Sequence, residues 1–268
     1  MIRSLALCAV LSSLPLAAIA GPTTQGDVVT ARLLPGWQDK KGHHMTALHL
    51  ALAPEWKTYW RSPGDAGIPP AFDWSGSENL KYVLFHWPSP SVFHTNGMQS
   101  IGYHRELVLP IEVVANDPSK PVLVRVQVGL GVCRDICIPA EVDLMADLTP
   151  PGAPDPAISA ALRDRPATAS EAGMTGIGCT VEPIRDGLRL TASIDLPTQG
   201  SGETVVFESG SGSVWVSEAV SSRSGGRLTA EAEMVAPSGQ PFALDRSSVV
   251  VTVISAQGAV EIRGCPAP

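Results

Sequence analysis

The stretch Gly131-Val132-Cys133-Arg134-Asp135-Ile136-Cys137-Ile138-Pro139 constrains the fold more than any other part of the chain. Two cysteines can form a disulfide only when their Cα atoms lie roughly 4.4–6.8 Å apart, whereas four steps along an extended strand cover roughly 13 Å. The chain must therefore turn between Cys133 and Cys137, which places Arg134-Asp135-Ile136 at a hairpin tip. The flanks agree. Val122, Val124, Val126 and Val128 alternate with Leu123, Arg125 and Gln127, and beyond the tip Val142 and Leu144 alternate with Glu141 and Asp143, the period of strands with one buried face. Such a short disulfide loop contributes only about 2 kcal/mol in the chain-entropy model. Stabilisation is thus a weak reason for the bond and thiol–disulfide exchange a stronger one, with a merely stapled hairpin as the plain alternative.

The cysteine count bears on this only once the compartment is fixed. Arg3 precedes the apolar run Leu5 to Leu16, and Ala18-Ile19-Ala20 has the small-x-small form of a signal-peptidase site. Residues 1–20 are therefore expected to be an export signal that carries Cys8 away and leaves Gly21 as the first residue. Four cysteines remain, Cys133, Cys137, Cys179 and Cys265, an even number for a compartment in which disulfides persist. No later stretch approaches the roughly 18 apolar residues of a membrane span, so a soluble exported protein with no direct membrane insertion is expected. The net charge of −7, spread without runs, argues against nucleic acid or an anionic membrane surface as ligand.

The remaining pattern is all-β. Short alternating segments, His44 to Ala53, Tyr82 to Phe85 and Glu106 to Val114, separated by Pro, Gly and Ser clusters, predict a first antiparallel sandwich over residues 21–149. Between Trp87 and Tyr103 the sequence suggests a long surface loop with a covering or binding role. Pro150-Pro151-Gly152-Ala153-Pro154 is a stiff linker, and Asp155 as N-cap with Pro156 at the first helical position predicts a short helix within residues 150–170. From 171 to 268 the alternation resumes at Leu188–Thr191, Thr204–Phe207, Val214–Val216, Leu228–Met234 and Val249–Ile254, predicting a second, smaller sandwich. Its cysteines stand at its two ends, and a Cys179–Cys265 structural disulfide would be worth about 4.6 kcal/mol in the same entropy model.

Other chemistries find less support. His43, His44, His49, His86, His94 and His104 lack metal-binding spacings, and Cys-x3-Cys is not a zinc knuckle, so no metal or other cofactor is expected. His94, His104 and the soft sulfur of Met98 leave a copper-binding alternative. A Cys–His hydrolase lacks a nucleophile elbow, and a neighbouring cysteine would trap its nucleophile as a disulfide. Arg134 beside Cys133 is a possible electrostatic aid to its thiolate.

Three stretches carry a family resemblance. Trp56-Lys57-Thr58-Tyr59-Trp60-Arg61, then Trp87 through Phe93 to the strand Gly102–Pro110, then Gly131–Glu141 resemble the N-terminal periplasmic domain of the DsbD thiol:disulfide interchange family, including its copper-tolerance relative ScsB. The resemblance spans Asp27 to Leu148. It implies a periplasmic, immunoglobulin-like domain whose Cys133 and Cys137 take electrons from a membrane-bound or thioredoxin-like donor. Those electrons would go to oxidised periplasmic proteins in disulfide reduction, cytochrome c maturation or copper tolerance, making the chain a protein-disulfide reductase component. It also implies Phe93 as a cap residue and Tyr59 as an aromatic beside the pair. Two departures stand out: the cysteines are three residues apart where the best-known member has five, and Ser91 and Val92 replace the acidic residues beside the cap phenylalanine. A non-catalytic β-sandwich binding module remains the third alternative.

Overall fold

A computed structural model of the protein describes residues 25–65, 67–95 and 97–268. The expected export signal, with Cys8, lies outside the described residues. A four-residue helix, α1 (Gln25–Val28), leads into ten strands: β1 (Val29–Gln38), β2 (His44–Leu52), β3 (Lys57–Tyr59), β4 (Ala71–Asp73), β5 (Leu80–Phe85), β6 (Ser91–Thr95), β7 (Met98–His104), β8 (Glu106–Ala115), β9 (Val122–Cys133) and β10 (Cys137–Leu148). They form two facing sheets, β1-β2-β8-β5 and β10-β9-β3-β7-β6, with β4 also paired to β9. Leu48, Leu50, Leu109, Ile111 and Val113 of the first sheet share one core with Ile101, Val124, Val126, Val128, Leu130 and Val132 of the second.

The valine alternation of β9 explains its place. Val122, Val124, Val126 and Val128 are buried while Arg125 and Gln127 are exposed, but from Leu130 to Cys133 every residue is buried. The outer face of the sheet is therefore covered near the cysteines and open elsewhere. Residues 91–104 are a hairpin, β6–β7, rather than the loop expected. Ser91-Val92-Phe93-His94-Thr95 is short for a strand, but the connection between the paired Thr95 and Met98 contains Gly97 at φ 80°, and an Asn-Gly step is the strongest short hairpin signal.

The helix α2 (Pro156–Arg163) begins at Asp155, whose side chain accepts from the Ala157 and Ile158 amides, the usual N-cap arrangement. It lies on the first sandwich, where Ile158 packs with Leu34 and Ala47. The linker is held too: Gln38 donates to the Pro151 carbonyl, Ala153 donates to that of Gly36, and Ser89 donates to that of Asp164.

The remaining strands are β11 (Ala167–Thr168), β12 (Gly176–Ile184), β13 (Gly187–Asp195), β14 (Thr204–Glu208), β15 (Trp215–Val216), β16 (Val220–Ser224), β17 (Arg227–Val235), β18 (Val250–Ser255) and β19 (Gly258–Arg263). Their sheets, β11-β19-β18-β14 and β12-β13-β17-β15 with β16 on β17, enclose a second core of Leu190, Ile194, Phe207, Met234, Val251 and Val253. The protein is thus all-β in two sandwiches. The sandwiches meet through Ile254 and Ala259, which pack on the first core. They also meet through Arg61, which donates to Glu208 at 2.9 Å and to Glu261 at 2.8 Å. Beside this contact a cleft of about 700 Å³ separates the segment around Arg61–Pro69 from Val205–Ala219.

Candidate functional site: a disulfide on a covered sheet face

Cys133 ends β9 and Cys137 begins β10 as directly opposed residues, and the Arg134 amide donates to the Ile136 carbonyl at 3.0 Å across the tip. The two sulfurs are joined as a disulfide rather than held as a free dithiol. Their surroundings differ: Cys133 is 1% exposed, Cys137 is exposed, and Ile136 beside it is 63% exposed. Arg134 is engaged by two neighbours. Its Nε donates to Asp135 at 3.0 Å and its guanidinium lies 5.6 Å from the Trp56 ring.

The hexapeptide Trp56–Arg61 links the site to the rest of the molecule. Strand alternation sends Lys57 and Tyr59 to the outer face and Thr58 to the core face, and the Thr58 hydroxyl donates to the Gly131 carbonyl. Trp60 is fully buried, while Arg61 reaches the second sandwich. Tyr59 is 2% exposed even though it lies on the outer face. Its ring fills the space left by Gly131, where an added Cβ would stand 3.1 Å from the ring and 2.8 Å from Ile68 Cβ. Gly67 closes the other side, since its own added Cβ would meet the ring at 2.9 Å. Loop residues Gly67 and Ile68 thus roof the tyrosine. Its hydroxyl lies 3.5 Å from Cys137 Sγ. Burial raises the phenol's pKa above its ordinary value, so at neutral pH it keeps its proton and can donate it to sulfur.

Lys57 is directly opposite Cys133 in one direction and His104 in the other. It is 8% exposed, and its ammonium donates to Ser100 Oγ at 3.1 Å and Thr95 Oγ1 at 3.5 Å and stands 5.3 Å from the Phe93 ring centroid. The Phe93 ring packs tilted against His104, their centroids 4.2 Å apart. It shares the outer face with the disulfide but stands on β6, three strands across from β9, about 14 Å at the usual strand spacing. Tyr59 therefore touches the pair directly, whereas Lys57 and His104 stand between Phe93 and Cys133. Sequence reasoning passed over Lys57, although the alternation of Trp56–Arg61 puts it on the same face as Tyr59.

The other sequence candidates lie elsewhere. Cys179 and Cys265 are bonded and buried, at 0% and 1% exposure, with the Cys179 amide donating to Pro266 and Arg246 donating to the Cys179 carbonyl. His43 and His86 share Glu112, His49 meets Glu106, and His44 meets the Pro35 carbonyl. His94 alternates to the opposite face from Phe93, Met98 and His104, so the three residues of the copper alternative do not converge. Among the described residues no group of three or more His, Cys, Asp or Glu could hold a metal ion.

The first sandwich is thus a two-sheet domain of immunoglobulin-like form with a half-exposed disulfide at a hairpin tip. Residues 30–149 match the family described as thiol:disulfide interchange protein DsbD, N-terminal. The chain is also similar to the crystal structure of the N-terminal periplasmic domain of ScsB from Proteus mirabilis, at 22% identity and a TM-score of 0.66. That likeness covers 92% of this chain and 96% of the other, so both sandwiches share its fold. No curated protein matches the chain. No helix among the described residues is long and apolar enough to cross a membrane.

Proposed function

We propose that the protein is a periplasmic thiol–disulfide relay in which Cys133 and Cys137 accept two electrons from a thioredoxin-like or membrane-bound donor and pass them to oxidised periplasmic proteins. The unequal burial of the two sulfurs carries this reading. A donor thiolate reaches the exposed Cys137 Sγ, the S–S bond breaks, and Cys133 leaves as the thiolate. A second donor thiolate then releases reduced Cys137. In the forward step Cys137 attacks the substrate disulfide and Cys133 resolves the mixed disulfide, so electrons and sulfurs balance without a cofactor or metal.

Tyr59 shields the pair from below and Phe93 extends that cover through Lys57, while Cys179–Cys265 is a structural bond of the second sandwich. The second sandwich positions the first, because Arg61 ties it to the strand that carries Tyr59. The acceptors include proteins of disulfide reduction, cytochrome c maturation or copper tolerance, and the activity is that of a protein-disulfide reductase component.

The test is the potential of the Cys133–Cys137 bond, measured by equilibrating the protein with glutathione or dithiothreitol buffers and counting thiols by mass. A value of roughly −120 to −270 mV supports the relay, and one below about −300 mV marks a structural staple and sinks it.

A further inference from the structure

We infer that the cleft between the sandwiches is a docking groove for a basic, extended segment of the redox partner, which adds as a strand to the open edge of β14. The segment is the stretch of chain flanking the partner's reactive cysteine, so the inference rests on the relay reading above. The protein covers three of its other sheet edges. The Gln25 side-chain amide donates to the Glu141 carbonyl of β10 and accepts from the Glu141 amide. The linker runs along β1, bonded at Gln38 and Gly36, and the Cys179 amide of β12 donates to the Pro266 carbonyl. Such covering keeps an edge from pairing with another chain.

The cleft is bounded by two edges without that cover, since β14 ends one sheet of the second sandwich and β15 ends the other. Val205 and Phe207 bury their side chains in the second core, while Val206 and Glu208 turn to the first sandwich. What β14 presents to the cleft is therefore backbone, and among the described residues no strand pairs with it there. The connection towards β15 reads Ser209-Gly210-Ser211-Gly212-Ser213, with no side chain large enough to fill the space, and Trp215 beyond it is 51% exposed. An added strand would bond the edge and set alternate side chains in the cleft.

Charge and position say which strand fits. The charged residues lining the cleft are Arg61, Asp65, Glu208 and Glu218. Arg61 is occupied by Glu208 and Glu261, whereas Asp65 and Glu218 are exposed and carry no ion pair among the described residues. The surplus is negative, which favours Lys or Arg on the incoming segment. Gly67 lines the cleft and packs against the Tyr59 ring, whose hydroxyl meets Cys137 Sγ. About three or four extended residues, at about 3.3 Å each, carry a chain from Cys137 over this roof into the cleft, past Ile68, which is 40% exposed. A partner held at Cys137 by a mixed disulfide thus delivers its flanking segment to β14 at high effective concentration.

The experiment uses the full chain with Cys133→Ser, in which Cys137 keeps a lasting mixed disulfide. Three thiols are attached to Cys137 as their thiopyridyl disulfides, with thiopyridone leaving. They are glutathione, a peptide of alternating Val and Lys joined to cysteine by a short Gly-Ser spacer, and its counterpart with Glu for Lys, each peptide made with the cysteine at either end. Hydrogen exchange at the amides of Val205–Glu208 should be about tenfold slower in the Lys adduct than in the glutathione adduct, with little slowing in the Glu adduct. Asp65→Lys with Glu218→Lys should reverse the ranking of the two peptides. Exchange no slower in the Lys adduct than in the Glu adduct overturns the inference. So does protection of the glutathione adduct that grows with protein concentration, which assigns the edge to a second copy of the chain. Should Cys133→Ser fail to fold, the wild-type disulfide is reduced with each peptide, and equal rates overturn the inference. The wild-type potential tests the relay separately, because the Cys137 adduct forms and is read whatever that potential is.

Discussion

Tyr59 sets its hydroxyl 3.5 Å from Cys137 Sγ while its ring occupies the space above Gly131, so one side chain both packs the outer face and touches the exposed sulfur. These two duties can be separated. Tyr59→Phe keeps the ring and loses the donor, and should change stability by no more than about 1 kcal/mol. It should slow the reaction of reduced Cys137 with a small disulfide several-fold at neutral pH, because the thiolate loses a hydrogen bond that favours it. Tyr59→Ala should cost about 3–5 kcal/mol, as large buried side chains do. Stopped-flow thiol exchange and urea unfolding read the two effects.

Gly102 and Gly131 flank the same tyrosine but should not be equally sensitive. A Cβ on Gly102 would stand 2.0 Å from the Thr58 carbonyl oxygen and 2.8 Å from Tyr59 Cα, which are backbone atoms with nowhere to go. On Gly131 it would stand 2.8 Å from Ile68 Cβ and 3.1 Å from the Tyr59 ring, so a loop residue and a ring must give way rather than the backbone of a paired strand. Gly102→Ala should therefore lower stability by more than about 2 kcal/mol, and Gly131→Ala by less. Thermal unfolding should rank them wild type, Gly131→Ala, Gly102→Ala.

Much of this geometry could be read from residue pattern alone. The tip at Arg134–Ile136 followed from reach, and the valine period of β9 placed its buried face. The covering of the outer face did not follow, because it depends on Gly67 and Ile68 folding back over Tyr59, a contact with no periodic signature. The hairpin of residues 91–104 is hard to see in the sequence because Pro88, Pro90, Asn96 and Gly97 all favour turns, and nothing in them tells a hairpin turn from a long loop. Lys57 escapes notice in the sequence because a lysine in a strand usually faces water, and its burial shows only in its contacts with Ser100, Thr95 and Phe93.

Arg61 joins the sandwiches through two carboxylates, Glu208 and Glu261, while stacking 4.3 Å from the Trp60 ring. Arg61→Met should leave two partly buried acids facing each other and cost about 1–3 kcal/mol. The loss should appear first as looser contact between the sandwiches, seen as faster proteolysis and a broader small-angle scattering profile, with each core still folded.

Removing the second disulfide through Cys179→Ser with Cys265→Ser should destabilise the second sandwich by about 2–5 kcal/mol. Because its sulfurs are buried at 0% and 1% exposure, the bond should also resist mild thiol reductant that opens Cys133–Cys137. Mass counting of alkylated thiols over a reductant series distinguishes the two bonds.

Glu112 accepts from both His43 and His86. Burial acts to raise its pKa, but the two imidazole bonds outweigh it and hold the carboxyl below the ordinary glutamate value. A carboxyl depressed in the folded state contributes stability above its unfolded pKa and loses it as pH falls through the folded one. Melting temperatures of wild type and Glu112→Gln should accordingly differ at pH 6 and converge as the pH falls below about 4.

The clasp of the linker and α2 upon the first sandwich has a consequence for how this molecule may be divided. Along the chain the two cores part near Thr149, yet Ile158 seals Leu34 and Ala47, and Ser89 holds the Asp164 carbonyl. A fragment ending at Thr149 would bare that apolar strip and forfeit the strap along β1. The seam at which one unit could be exchanged for another, by recombination or by design, therefore runs at Arg165-Pro166, past the helix.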